Sequence, residues 1–444
     1  MEHYDFIALG GGNAGLTASK RVKAAGKKVA LIDPTPVGGL CALNGCNPKK
    51  VLVRAVEVLH LVREAGEHGI RTGEVKIDWS AVIDRKHRFI DSVTESTEKD
   101  LRDAKVDYIK APARFTAPDR LEVDGRTLSF DGAVVATGSA PRRLSFPGAD
   151  LVATSDQILE ARTVPSRLAI IGAGAVALEF AHVFARLGSN VHVLNRGQEA
   201  LKGHDRELVS RLVSHLQSLG VVFHNGVEVK AVEANPTSYD VQLSDGVKVG
   251  ADLVLNAAGR PANLEGLCLE KAQVQYSEHG VDVNECLRSP GNPRVFAAGD
   301  AHGARELSPV ASYEGAIVAH NFLHGEERRV DYSAIPSAIF TVPPLAAVGL
   351  TEDGARKQGL DVEAVTQDMS EWTVFRIAGE KLSYGKVISE KGSGRIVGAH
   401  LFGPAADDNI NVFAMAMRYG ITSERLSEMI YVYPALASAM RFLT

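Results

Sequence analysis

A short apolar run from Tyr4 to Leu9 reads as a buried strand. It ends in Gly10-Gly11-Gly12-Asn13-Ala14-Gly15, a helical stretch follows to about Ala25, and residues 28–32 form a second strand closed by Asp33. The same plan returns later. Residues 168–171 are a strand, Gly172-Ala173-Gly174-Ala175-Val176-Ala177 is the turn, a helix continues to about Leu187, and 191–194 is the second strand. Between the copies, β-prone pieces at 106–109, 121–123 and 128–130 predict a small meander. Its exit is Val134-Val135-Ala136-Thr137-Gly138, and a parallel exit runs through 253–258 to Gly259-Arg260-Pro261. Residues 295–298 predict a buried strand leading into Gly299-Asp300. From about Tyr332 the pattern changes to strands, with helices beyond Asp407, which predicts an α+β terminal domain.

Each strand-turn-helix-strand unit carries a dinucleotide fingerprint. The first glycine (Gly10, Gly172) allows the tight turn, and the next (Gly12, Gly174) lets backbone approach a pyrophosphate. The third small residue (Gly15, Ala177) lets helix and strand pack closely. Free N–H groups at the helix start then face the phosphates. One such motif is weak; two in the same context are specific. The second-strand ends differ. Asp33 can accept hydrogen bonds from both hydroxyls of an adenosine ribose. The matching position in the second unit is Asn195, followed by Arg196, with Lys202 beyond. A 2′-phosphate is repelled by a carboxylate and attracted by such cations, which favours NADPH over NADH. The alternative is that Arg196 and Lys202 are solvated surface charges.

The segment Cys41-Ala42-Leu43-Asn44-Gly45-Cys46-Asn47-Pro48-Lys49-Lys50 carries candidate redox chemistry. An amphipathic helix follows, with Pro48 suited to its first turn. On an ideal helix, residues five apart have Cα atoms about 8–9 Å apart, and a disulfide needs less than ~7 Å. Cys41 is therefore expected on irregular backbone, and a bridge here would be bent and reducible. A metal site would need more ligands at short spacing, and none is present. Cys268 and Cys286 are isolated and read as incidental thiols.

Composition narrows the picture. Of 444 residues, 45% are apolar and the formal charge is −5. Nucleic-acid binding is disfavoured. No run approaches the ~20 apolar residues of a membrane span. The first residues offer no signal-peptide core, so the expected location is the cytoplasm, where a close cysteine pair is catalytic more often than structural.

The motifs, in their order and spacing from about Tyr4 to Ala439, resemble the pyridine nucleotide-disulfide oxidoreductases: glutathione reductase, dihydrolipoamide dehydrogenase and mercuric reductase. The resemblance rests on both fingerprints, the C-x4-C segment, Thr137-Gly138, Gly259-Arg260-Pro261, Gly299-Asp300 and the segment 340–352. It implies an α/β fold with two Rossmann-like dinucleotide-binding domains and a C-terminal α+β dimerisation domain. The implied division is 1–147 for FAD, 148–261 for NAD(P), 262–331 as a central domain completing the FAD site, and 332–444 for dimerisation. It further implies that Cys46 is the thiol nearest the flavin and Cys41 the exchanging one. Asp300 would bind the flavin's ribityl chain, and the helix opening at Ser308-Pro309 would aim its N-terminus at the flavin ring. Lys50 and Glu179 would form an ion pair beside it.

The chain departs from that pattern at its end. Where the family's disulfide reductases carry His-Pro-Thr and an orienting Glu, this chain has Tyr433-Pro434-Ala435 and Ser438. A tyrosine is protonated at neutral pH and cannot relay protons as a histidine does. Mercuric reductases also lack the His but carry C-terminal cysteines, absent here. Lys49 replaces a small hydroxyl residue and Asn47 an apolar one. The donor side is intact and the acceptor side is altered. The expectation is a homodimeric FAD enzyme passing electrons from NADPH through the Cys41–Cys46 disulfide to a small-molecule or small-protein acceptor, a disulfide or related sulfur compound. Its rivals are a lipoamide-type dehydrogenase, a reductase of metal ions or quinones, and a redox sensor without turnover. Tyr433 is expected to face Cys41 of the other subunit.

Overall fold

The first apolar run becomes the strand Glu2–Leu9 in a computed structural model of the chain, whose described residues are 1–325 and 328–444. It pairs in parallel with Val29–Ile32 on one side and Arg126–Val135 on the other. Side chains alternate along it, so Phe6 and Ala8 enter one core while Ile7 and Leu9 enter another. Burial on both faces explains why the run is continuously apolar rather than alternating. Asp107–Ile109 extends the sheet beyond Val29–Ile32, and Val295–Ala297 pairs with the far end of Arg126–Val135. The helices Asn13–Ala24 and Ser308–His324 pack tightly together: a Cβ on Gly315 would sit 2.4 Å from the Ala14 carbonyl oxygen. These elements belong to one compact unit, Met1–Lys49, Asp84–Arg143 and Gly259–Asp331.

The expected three-piece meander needs correcting. Its first piece, Asp107–Ile109, is a parallel strand of the main sheet. Its third piece and the exit 134–135 are one ten-residue strand, Arg126–Val135. Gly132 does not break it, because its missing side chain is where the Phe322 ring lies, 2.6 Å from the position of a Cβ.

The second unit comprises Lys50–Ile83, Leu144–Ala258 and Tyr332–Thr444. Its parallel sheet runs in the order Leu253–Asn256, Arg167–Ile171, Asn190–Asn195, Val222–Asn225. The helix Ala175–Arg186 follows the second glycine turn, and an antiparallel trio lies within residues 229–251. From Tyr332 the chain builds a five-stranded antiparallel sheet, its inner face closed by the helix Ala406–Tyr419 through Ile410, Phe413 and Ala416. No helix among the described residues is long and apolar enough to cross a membrane.

Gly315→Ala is expected to destabilise the first unit. Relieving a helical glycine gains about 1 kcal/mol, but forcing two backbones apart costs about 1–3 kcal/mol. A melting temperature at or above wild type would show that the helices separate freely.

Candidate active site

Two helix N-termini meet in the first unit. Gly10 has φ +112°, and a Cβ there would lie 2.2 Å from the Ala136 carbonyl oxygen; one on Gly15 would lie 2.0 Å from that of Gly10. Gly12 caps the helix without a side chain, so its first N–H groups are left for an anion. Asp33 ties the glycine loop to the strand end: Oδ2 accepts the Gly11 N–H at 2.6 Å, and Oδ1 accepts the Thr35 N–H at 2.8 Å. The Asn13 amide donates to the Ser308 hydroxyl, which brings in the N-terminus of Ser308–His324, opened by Ser308-Pro309 and likewise without a side-chain cap.

The exits lie within the same unit. The Gly138 carbonyl accepts the Asn263 N–H at 2.8 Å, and the Gly259 carbonyl, at φ +107°, accepts that of Arg142 at 3.0 Å. Asp300 accepts the Ser139 hydroxyl at 2.7 Å, and Arg260 donates to the Ser139 carbonyl at 3.0 Å. The Thr137 hydroxyl is buried with no hydrogen-bond partner among the described residues. An orphaned hydroxyl, two uncapped helix starts and a carboxylate at a strand end fit FAD.

The cysteines lie against this loop. Cys41 is in a short helix, Gly39–Leu43, and Cys46 opens the long helix Cys46–Glu64. The expectation of irregular backbone at Cys41 is thus corrected: the break falls at Asn44 and Gly45. A Cβ on Gly45 would lie 2.9 Å from the Leu40 carbonyl oxygen, so the glycine permits the fold-back. Gly39 docks the segment on the dinucleotide loop, with its Cβ position 2.5 Å from the Gly12 Cα. Both cysteines are free thiols, and each shifts the other's titration. The hydrogen bond from Cys46 pulls the Cys41 thiol down to about 6; burial opposes this, while Ser308 and the Lys49 charge assist it. Cys46 is pushed up, chiefly because its proton is held by Cys41, with burial adding to the effect. The pair is therefore poised as one thiolate, Cys41, and one thiol, Cys46.

The lysine whose charge acts on the thiols is Lys49. The Lys50 ammonium is 3.4 Å from the Asp407 carboxylate and 3.8 Å from the Phe340 ring centroid. Glu179, 1% exposed, accepts the Phe340 N–H at 2.8 Å. Phe340 thus takes Lys50 on its ring and Glu179 on its backbone N–H, so both side chains of the expected pair meet the same residue.

In the second fingerprint, Gly172 has φ +113°, and its Cβ position is 2.3 Å from the Ala257 carbonyl oxygen. Gly174 caps the helix without a side chain, and Ala177 is wholly buried. Asn195 is buried, and its amide shapes the loop. Oδ1 accepts the Gly197 N–H at 3.0 Å, while Nδ2 donates to Asn225 Oδ1 at 3.0 Å and the Glu199 carbonyl at 3.2 Å. Its role is therefore to build the loop rather than to present its amide to a ligand. Arg196 and Lys202 are exposed. These groups fit a pyridine dinucleotide.

In the terminal segment Tyr433 is 69% exposed, beside Val432 at 82% and Ile430 at 94%. An apolar strip this exposed marks an association surface. Ser438 is buried and donates to the Ala435 carbonyl at 2.6 Å, which fixes the turn. Of the isolated thiols, Cys286 is buried and Cys268 half-buried.

Iodoacetamide alkylation of the reduced enzyme should titrate with a midpoint near 6, from Cys41. Cys46→Ala should move the midpoint up by more than Lys49→Met does, because the hydrogen bond outweighs the distant charge. A midpoint unmoved in both variants would show that neither group tunes the thiolate.

The chain matches the pyridine nucleotide-disulphide oxidoreductase family over residues 4–315 and that family's dimerisation domain over 335–443. It is 32% identical to a glutathione reductase of Burkholderia cepacia over 98% of both chains. It is 30% identical to a dihydrolipoyl dehydrogenase of Chlamydia muridarum, over 98% of this chain and 95% of that one. The Cu(II) complex of the HOCl-induced flavoprotein disulfide reductase RclA from Escherichia coli superposes with a TM-score of 0.90 at 25% identity, covering 100% of this chain and 99% of that one. With its two dinucleotide folds, a cysteine pair on the first and a dimerisation domain at the end, the chain belongs to the FAD- and pyridine nucleotide-dependent disulfide oxidoreductases.

Proposed function

We propose that the protein is an NADPH-dependent FAD reductase, a cytoplasmic homodimer, in which Cys41 and Cys46 form the redox-active disulfide. The observation that carries this reading is the cysteine segment docked on the dinucleotide loop through Gly39 and Gly12, with the two thiols coupled in their titration. We also propose the four-part division at 147, 261 and 331, with Gly10, Gly12, Gly15, Asp33, Thr137, Gly138, Gly259, Asp300 and Pro309 serving FAD. Gly172, Gly174, Ala177, Arg196 and Lys202 would serve the donor, with Asn195 shaping their loop.

FAD in the first site would supply the two-electron step between nicotinamide and disulfide. The chain's own groups do the rest. Two electrons and one proton open the Cys41–Cys46 bond into a Cys41 thiolate and a Cys46 thiol. The thiolate attacks an acceptor disulfide: the acceptor S–S bond breaks, a Cys41–acceptor bond forms, and one thiolate leaves. Cys46 gives up its proton and attacks the Cys41 sulfur, restoring the original bond and expelling the second thiolate. Solvent supplies the remaining proton, because Tyr433 and Ser438 stand where the family's His and Glu would be. The preferred acceptor is a disulfide or related sulfur compound other than glutathione disulfide.

A second reading, a metal-ion acceptor, is favoured by that same replacement. An ion takes electrons without a proton, and the related RclA forms a Cu(II) complex. A lipoamide-type dehydrogenase is disfavoured by Arg196, and a sensor without turnover is separated by steady-state NADPH consumption with a panel of acceptors.

NADPH should exceed NADH in kcat/KM, and Arg196→Glu should shift the ratio toward NADH by about tenfold or more, since one charged contact is worth ~1.5–3 kcal/mol. A wild-type preference for NADH would refute the donor assignment. Glutathione disulfide turnover should fall far below the ~10 s⁻¹ typical of enzymes. Tyr433→His should raise it if Tyr433 reaches Cys41 of the partner subunit; fast wild-type turnover would mean other groups replace the dyad.

A further inference from the structure

Asp300 lies in a turn, Gly299–His302, fastened from behind by a buried carboxylate. Glu314, on the helix Ser308–His324, is 0% exposed. Its Oε2 accepts the Gly299 N–H at 2.6 Å and stands 3.0 Å from His302 Nε2. One oxygen thus holds the first residue of the turn by a hydrogen bond and lies against the ring of its last. The turn has little slack elsewhere. A Cβ on Gly303 would lie 1.8 Å from the His279 carbonyl oxygen, and one on Gly280 would lie 2.6 Å from the His302 carbonyl carbon. The helix bearing Glu314 also carries Ser308, which bonds Asn13 at the dinucleotide loop and Cys41 in the redox pair.

Burying a carboxylate is costly before its partners are counted. An apolar residue would fill the same space without that cost. What only an acceptor at this point can do is fix the Gly299 N–H while its charge faces the His302 ring, and so set the backbone from which the Asp300 carboxylate projects. We infer that Glu314 is a positioning residue for flavin binding: it aims Asp300 at a ligand hydroxyl through Gly299 and His302, and touches no ligand itself. The inference rests on the family's use of FAD and on Asp300 facing it.

The test is release of flavin fluorescence from the purified holoenzyme on serial dilution, with melting temperatures taken with and without excess FAD. Glu314→Leu should raise the FAD dissociation constant about tenfold or more, the scale set by one charged hydrogen bond. It should also shrink the gain in melting temperature that FAD confers, since that gain follows the affinity. Glu314→Gln, which keeps an acceptor oxygen, should retain most of the affinity. Equal losses of melting temperature with and without FAD, at unchanged affinity, would reduce Glu314 to a packing role and overturn the inference. If Glu314→Leu does not fold, His302→Asn answers from the other end of the turn, and unchanged FAD affinity there overturns it equally. Wild-type protein that holds no FAD would fail the cofactor assignment instead.

Discussion

Backbone pressed against backbone is the constraint on which the first site depends. At Gly10, Gly15, Gly39 and Gly315 a single Cβ would come 2.2, 2.0, 2.5 and 2.4 Å from a neighbouring main-chain atom. Removing those four methyl-sized groups lets the glycine loop, the cysteine segment and the helix Ser308–His324 collapse onto the helix Asn13–Ala24. Two helix N-termini then meet, joined by Asn13 and Ser308. Each presents unpaired N–H groups and the positive end of its dipole. Negative charge is favoured there, whether it belongs to a phosphate or to the thiolate of Cys41, which Ser308 also stabilises.

That local positive field bears on the missing base. A thiol near 6 is largely ionised at neutral pH, so in the proposed reaction Cys41 needs no histidine to become a nucleophile. The Cys46 thiol and Lys49, three residues beyond it, supply the stabilisation from within the same segment. A lower thiol pKa reduces intrinsic nucleophilicity while improving the leaving group, so ionisation is gained and part of the reactivity is given up. In the proposed reaction the segment delivers one proton, that of Cys46, and the second departing thiolate draws on solvent. The arrangement is therefore best matched to acceptors whose products leave as anions or need no proton.

What the sequence made legible were features governed by local rules. A strand, a glycine turn and a helix are specified by neighbours in the chain, and both fingerprints could be read that way, as could the strands and helices of the terminal region, though not the antiparallel pairing of those strands. Choices made by distant partners could not be read. Asp107–Ile109 joins the parallel sheet because Val29–Ile32 offers it an edge. Lys50 turns to Asp407 because the chain brings a carboxylate from 357 residues away. No local rule marks Glu314, whose burial behind Asp300 follows only from the packing of the turn. Even the cysteine spacing misled, since the break in the helix fell between the two residues rather than on one of them.

The two second-strand ends keep the same frame with different side chains. Asp33 Oδ1 accepts the N–H two residues on, from Thr35 at 2.8 Å, and Asn195 Oδ1 accepts the N–H two residues on, from Gly197 at 3.0 Å. Both are Asx turns, and the bend requires only a side-chain oxygen at that distance. An amide supplies that oxygen as well as a carboxylate does. The loop is therefore indifferent to the exchange of Asp for Asn, while a bound nucleotide is not. A carboxylate accepts two ribose hydroxyls and repels a phosphate on one of them. With an amide in its place the repulsion is gone, and the exposed Arg196 next in the chain is free to set the local sign. The backbone job and the charge job reside on one side chain but are separable, so ligand choice can vary between two copies of the same fold.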